Sequence, residues 1–92
     1  MKTVQETYDT LKSVYEAKNH DYGNSFDKSL DKYGLIAALT RISDKFNRAE
    51  NLILGQKEMV EEESIIDTLL DLANYAVMTA VYINNHNNKD GN

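Results

Sequence analysis

The sequence predicts an all-α fold, a small helical bundle of three long helices plus a short helical turn, completed by homo-oligomerisation. Proline is absent from all 92 residues. Strict two-residue alternation is rare, while apolar residues recur at helical spacing in three separate segments. A chain of this length makes one small domain, which buries a smaller fraction of its surface than a larger one and is often helped by association.

The first helix is expected from about Thr3 to Asn19, with Val4, Tyr8, Leu11 and Tyr15 on one face and charged residues elsewhere. NHDYGNS, residues 19 to 25, marks its end, because Asn, Asp, Gly and Ser tolerate turn geometry or hydrogen-bond nearby backbone. A short helical turn is expected at Asp27 to Tyr33. Gly34 separates it from a second long helix, Leu35 to about Leu54, whose Leu35, Leu39, Ile42, Phe46, Ala49 and Ile53 form a core stripe. Gly55 supplies a stop. Glu61, Glu62 and Glu63 open the last helix, where acidic groups suit the positive end of the helix dipole, and this helix is expected to reach Ile83.

No internal repeat or low-complexity linker divides the chain. Residues 1–85 read as the single domain, and the polar stretch 86–92 as a disordered tail. From Ala73 onward, Ala76, Val77, Met78, Ala80, Val81 and Ile83 surround much of the helix circumference, so one core-facing stripe cannot bury them all. Either the first two helices enclose the excess or a second copy covers it, and a homo-oligomer is the favoured expectation.

The net charge of -5 and the pI near 4.8 argue against broad nucleic-acid binding and against attraction to anionic membrane. Cysteine is absent, which removes disulfides and thiolate metal sites and suits a reducing cytoplasm, although a short chain lacks cysteine by chance about as readily. No signal-peptide pattern and no uninterrupted apolar span are found. The expectation is a soluble cytoplasmic protein without membrane contact.

The segment ESIIDTLLDLANY, Glu63 to Tyr75, places Glu63, Asp67, Asp71 and Asn74 on one stripe of an otherwise apolar helix. Three carboxylates on one face repel each other unless a cation, basic partners or water balances them. In the preceding helix, Arg41, Lys45 and Arg48 share a face at spacings of four and three, and antiparallel packing would set them near the acidic stripe. Two chemistries then stand open. The carboxylates hold a hard divalent ion such as magnesium while the basic groups receive phosphate oxygens, or the two stripes neutralise each other as interhelical ion pairs.

Ser64 and Asp67 also have the spacing of a helix-capping box, which would occupy Asp67 locally. Asp71 lies a turn further inside, escapes that explanation, and is the best single functional carboxylate. The loop DYGNSF offers Gly23 for close backbone approach, Tyr22 for stacking on a base, and Asp21, Asn24 and Ser25 for hydrogen bonding. Its plainer reading is a connecting turn with Tyr22 and Phe26 anchored in the core. No phosphate-cradling glycine loop, nucleophile elbow or paired-His motif occurs.

Taken in order, DYGNSF, RISDKFNR and ESIIDTLLDLANYA resemble the phage and bacterial family called nucleotide modification associated domain 1, over roughly Tyr15 to Met78. That resemblance implies a role around phage nucleotide metabolism or DNA-base modification, in the bacterial host cell. A weaker similarity is to MazG-like all-α nucleoside triphosphate pyrophosphohydrolases, whose paired acidic motifs hold magnesium around a triphosphate. Here RISDKFNR replaces the first acidic pair, and Glu63 to Asp67 has a longer spacing than the second.

Together these resemblances imply a protein that binds a nucleotide or nucleotide-derived phosphate compound. As a hydrolase, Glu63, Asp67 and Asp71 would hold magnesium and one carboxylate would orient or deprotonate water, with Lys45 and Arg48 stabilising phosphate charge. Lys18, Asp21, Tyr22, Ser25, Arg41 and Asn74 complete the expected ligand set. The alternatives are a noncatalytic binder that sequesters a signalling nucleotide as an anti-defence protein, and an accessory subunit of a DNA-base modification system.

Overall fold

The computed structural model describes residues 3–22, 24–55 and 62–90, with the side chains of 21, 22 and 88–90 outside the described set. Its helices are α1 (Val4–Tyr22), α2 (Ser25–Tyr33), α3 (Ile36–Leu54) and α4 (Glu62–Asp90), and no strand occurs among the described residues. The all-α bundle expected from the sequence is therefore present.

Each boundary has a local cause. Thr3 and Glu6 form a reciprocal capping box at the start of α1: the Glu6 amide donates to Thr3 Oγ1 at 3.0 Å and the Thr3 amide donates to Glu6 Oε1 at 3.1 Å. The helix then runs through to Tyr22, beyond the expected Asn19, so Asp21 and Tyr22 belong to its last turn rather than to a loop. What reads as a short turn is the nine-residue α2, beginning at Ser25. It closes on Gly34, whose φ of 82° lies in the left-handed region that favours glycine and whose amide caps the Leu30 carbonyl at 2.8 Å. Gly55 ends α3 for a different reason, since a Cβ there would collide with the Asn51 carbonyl that its own amide caps.

α4 continues to Asp90, so residues 86–90 of the segment read as a disordered tail extend the helix, while 91–92 lie outside the described residues. At Tyr82 and His86 this extension is tied down. The two rings stack at 3.8 Å, and the Tyr82 hydroxyl donates to Asp31 Oδ1 at 2.6 Å across to α2.

α4 is the central element. α3 packs antiparallel against it, pairing Lys45 with Asp71 and Arg48 with Thr68. α1 also runs antiparallel to it, joined by Lys18 to Asp71 and by Asn74 Nδ2 to the Leu11 carbonyl at 3.3 Å. α2 runs parallel to it and seats Phe26 against Tyr75, with ring centroids 5.9 Å apart. Phe26, Leu30 and Ala38 form the buried core, and Tyr75, Met78 and Tyr82 pack against it.

The expected α3 core stripe is only partly inside. Ala49 is buried and Ile42 half-buried, but Leu35, Leu39, Phe46 and Ile53 stay exposed, because α4 meets the neighbouring row, at Ala38 in the core and at Lys45 through Asp71. On α1, Leu11 is half-buried while Val4, Tyr8 and Tyr15 remain exposed. By length and composition alone, the α4 segment Glu62–Asn87 contains an 18-residue stretch with a mean hydropathy of 1.2, enough to cross a membrane, a test that core helices of soluble proteins also pass and that the sequence reading did not register.

Candidate functional site

On the side of α4 that carries α1 and α2, the helices leave a cleft of about 220 Å³. Its walls bring together Lys18, Ser25, Arg41, Asp71 and Asn74, all expected site residues that are far apart in sequence. Tyr15, Phe26, Tyr75 and Met78 supply the apolar surface. A second hollow of about 380 Å³ adjoins it, sharing Tyr15, Phe26, Asn74 and Met78 and opening toward Tyr8, Leu11, Val77 and Val81.

Asp71 organises the polar end. Its Oδ1 accepts from Lys18 Nζ at 2.8 Å and its Oδ2 lies 3.1 Å from Lys45 Nζ. Burial pushes its carboxyl pKa upward, but the hydrogen bonds and positive charge of the two lysines outweigh burial and hold it below the ordinary value of 3.8. Asp71 is thus a bridge between α1 and α3. The interhelical ion pair, one of the two chemistries left open by the sequence, is realised at this residue.

Arg41 lines the same cleft and is held in place by its own contacts. Its guanidinium donates to Ser29 Oγ at 3.2 Å and to the Ala37 carbonyl at 3.4 Å, and it sits 5.5 Å from the centre of the Phe26 ring. The planar cation therefore rests on an aromatic face with its position fixed by α2 and its own helix. Arg48 points elsewhere. Its Nε donates at 3.3 Å to the hydroxyl of Thr68, which is buried and itself donates to the Ser64 carbonyl at 2.8 Å. Lys45 reaches Asp71 without lining the cleft.

The expected magnesium set does not assemble. Glu63 and Asp67 are exposed and away from the cleft lining, and both oxygens of Asp71 face lysines. Among the described residues no three acidic, His or Cys side chains gather as a metal-binding group. The donor set in this arrangement does not fit magnesium. Ser64 lies inside the first turn of α4, so it does not cap Asp67 from outside the helix. The side chains of Asp21 and Tyr22, and all of Gly23, lie outside the described residues.

Sequence reasoning did not assign the aromatic walls Tyr15 and Tyr75 to the site, and it left open whether Met78 is enclosed within the monomer or by a second copy. Met78 packs on the core and lines both hollows. The usable signal was in the alternation of roles along α4: Asp71, Asn74, Tyr75 and Met78 recur at helical spacing and carry both the polar and the apolar lining.

Comparison with curated proteins and with solved structures gives no match, and nothing in these comparisons bears on the MazG similarity. A family model described as nucleotide modification associated domain 1 does match, over residues 18–83, which span every residue that forms the polar end of the cleft. The chain belongs to the nucleotide modification associated domain 1 family.

Proposed function

We propose that the cleft binds a nucleotide or nucleotide-derived phosphate compound without cleaving it. The observation that carries this reading is the co-location of two cations, Lys18 and Arg41, with three aromatic rings, Tyr15, Phe26 and Tyr75, around one cavity. Cations in the lining suit phosphate oxygens, and Arg41 is suited to receive two of them at once. The aromatic and apolar wall, extended by the adjoining hollow, suits a base or nucleoside. Ser25 offers a hydroxyl, and Asn74 keeps its amide oxygen while its nitrogen is committed to Leu11. Asp71 holds Lys18 in place until phosphate competes for the same ammonium.

Sequestration is favoured over hydrolysis because the carboxylates expected to hold magnesium stand apart and Asp71 is engaged by two lysines. The family name agrees with a nucleotide ligand.

A thermal-shift panel of mono-, di- and cyclic nucleotides, with and without magnesium, tests the reading. A ligand at a hundredfold excess over its Kd stabilises the fold by about 2.7 kcal/mol, and each kcal/mol moves the midpoint of a domain this size by roughly 4–8 °C. The expected result is a shift of about 10 °C or more for one ligand class, independent of magnesium, with the ligand recovered intact. No shift across the panel rejects nucleotide binding. Loss of the ligand by phosphoanhydride cleavage rejects the noncatalytic reading and restores the hydrolase.

A further inference from the structure

We infer that the face of the α3/α4 pair turned away from the cleft is a docking surface for a second copy of this chain, giving a dimer whose centre is a bundle of two α3/α4 hairpins. It rests on two apolar stripes that the monomer leaves largely uncovered, with only Ala73 half-buried. On α4, Ile66, Leu69, Ala73, Ala76 and Ala80 follow one another at spacings of three, four, three and four, the repeat of a helix-packing seam. Ala76 and Ala80 are exposed, and Ile66 and Leu69 are 39% and 43% exposed. On α3, Leu35, Leu39, Phe46 and Ile53 share one face and are 50 to 58% exposed.

The two stripes belong to one surface. On α3, the residues that meet α2, Ala37 and Arg41, flank the α4-facing row on one side, and the bare stripe flanks it on the other. On α4, Asn74, Tyr75, Met78 and Tyr82 meet α1 and α2 on one flank, and Ile66 to Ala80 occupy the opposite one. Because α3 and α4 are antiparallel, the two bare flanks coincide. The alanines at its centre allow close approach of a facing helix.

The area fits a second copy. The chain exposes 7155 Å², whereas a folded monomer of 10.5 kDa exposes about 5,400 Å². That excess is spread over the whole chain; the two stripes contribute six large apolar side chains to it, each 39 to 58% exposed on one face, and a standard stable interface takes ~800 Å² from each partner. The Cα radius of gyration is 15.1 Å, against about 12 Å for a compact chain of this length. A bilayer fits less well. Inserting α4 would strip α1, α2 and α3 from it and carry the Asp71 ion pairs into hydrocarbon. For attachment by the bare face alone, a net charge of -5 and the rim residues Glu50 and Glu62 oppose anionic lipid. The clefts would lie on the two outer sides of the dimer, one per chain.

Light scattering on the full chain over a broad micromolar range should give twice the 10.5 kDa chain mass. Ala76→Glu and Leu39→Glu place charge on the exposed face and should halve that mass with helical circular dichroism retained. As the chain has no cysteine, single substitutions Ala73→Cys, Ala76→Cys and Ala80→Cys give a second measurement that does not need a disrupted interface. At least one should form an oxidised cross-linked dimer quickly at low concentration, while Glu16→Cys on exposed α1 should not. A native monomer overturns the inference. So does a dimer mass unchanged in both folded glutamate variants, cross-linking no faster at the three alanine positions than at Glu16, or co-sedimentation of the native chain with phosphatidylcholine vesicles.

Discussion

Replacing Asp71 by Asn separates an ion-pair bridge from a metal ligand, because the two roles predict opposite changes in affinity. The variant keeps the shape but removes the charge that pairs with Lys18 at 2.8 Å and Lys45 at 3.1 Å. Lys18 is 57% exposed and Lys45 30%, so solvent screens both pairs and the expected loss of stability is about 1 kcal/mol. That lowers the thermal midpoint by roughly 4–8 °C.

The pH dependence has a definite sign. The folded-state pKa of Asp71 is lowered, so its stabilisation is fully present above the unfolded value near 3.9 and is lost as pH falls through the folded value. The gap between native chain and variant should be full at pH 7 and should close as pH falls below about 4. Affinity moves the other way. A carboxylate roughly 6 Å from a phosphate repels it by about 0.7 kcal/mol in water and about 2.8 kcal/mol at the effective dielectric of a protein surface. The cleft is open, so the lower part of that range applies, and Asp71→Asn should bind the most stabilising nucleotide of the panel about 3- to 10-fold more tightly by titration calorimetry. Weaker binding by the folded variant, appearing only when magnesium is present, would refute the bridge and reinstate Asp71 as a metal ligand.

Lys18→Gln and Arg41→Gln should each weaken nucleotide binding about tenfold or more, the worth of a charge-assisted hydrogen bond, whereas Arg48→Gln, which faces Thr68, should leave the calorimetric affinity unchanged. Equal losses in all three would mean that general electrostatics, not the cleft, attracts the ligand. Hydrogen bonding to Asp31 pushes the Tyr82 hydroxyl up to about 12, so one of the six tyrosines should ionise late in an ultraviolet titration and return toward 10 in Asp31→Asn. Because the folded value is the raised one, that bond stabilises fully below pH ~10 and is lost as pH rises toward 12. Thr3→Ala removes the α1 capping box and should cost about 1 kcal/mol, read as faster amide exchange over the first turns of α1. Unchanged exchange there would show that packing on α4 holds this helix end.

Periodicity and punctuation carried the fold. The apolar repeats marked α1, α3 and α4, and Gly34 and Gly55 ended the helices they were expected to end. What the pattern did not carry was which apolar stripe is covered, and by what. On α3 two rows compete, Leu35–Leu39–Phe46–Ile53 and the flanking row with Ala38, Lys45 and Leu52, and hydropathy favours the first while α4 packs on the second. The difference is Lys45: its ammonium reaches Asp71, so a row containing a cation is half-buried and a row of large apolar groups is left outside. α1 overran its expected end at NHDYGNS because turn-prone residues also tolerate a last helical turn when the next helix begins only at Ser25.

The site was legible to the extent that it lies on helix faces. Asp71, Asn74 and Arg41 were found by spacing alone, and the structure brings them to one cleft with Lys18 and Ser25. Spacing also grouped Glu63 and Asp67 with Asp71, and Arg48 with Arg41, although neither grouping survives in the cleft lining. A stripe extends along the whole helix, but a small cleft touches only about two turns of it, and the position of α1 and α2 decides which two. On α4 those helices cover the flank with Asp71, Asn74, Tyr75 and Met78, and they leave bare the flank with Ile66, Leu69, Ala73, Ala76 and Ala80. In the proposed dimer, one helix carries the proposed ligand chemistry on one side and the assembly seam on the other. Serving both at once would account for the unusual apolar circumference of α4.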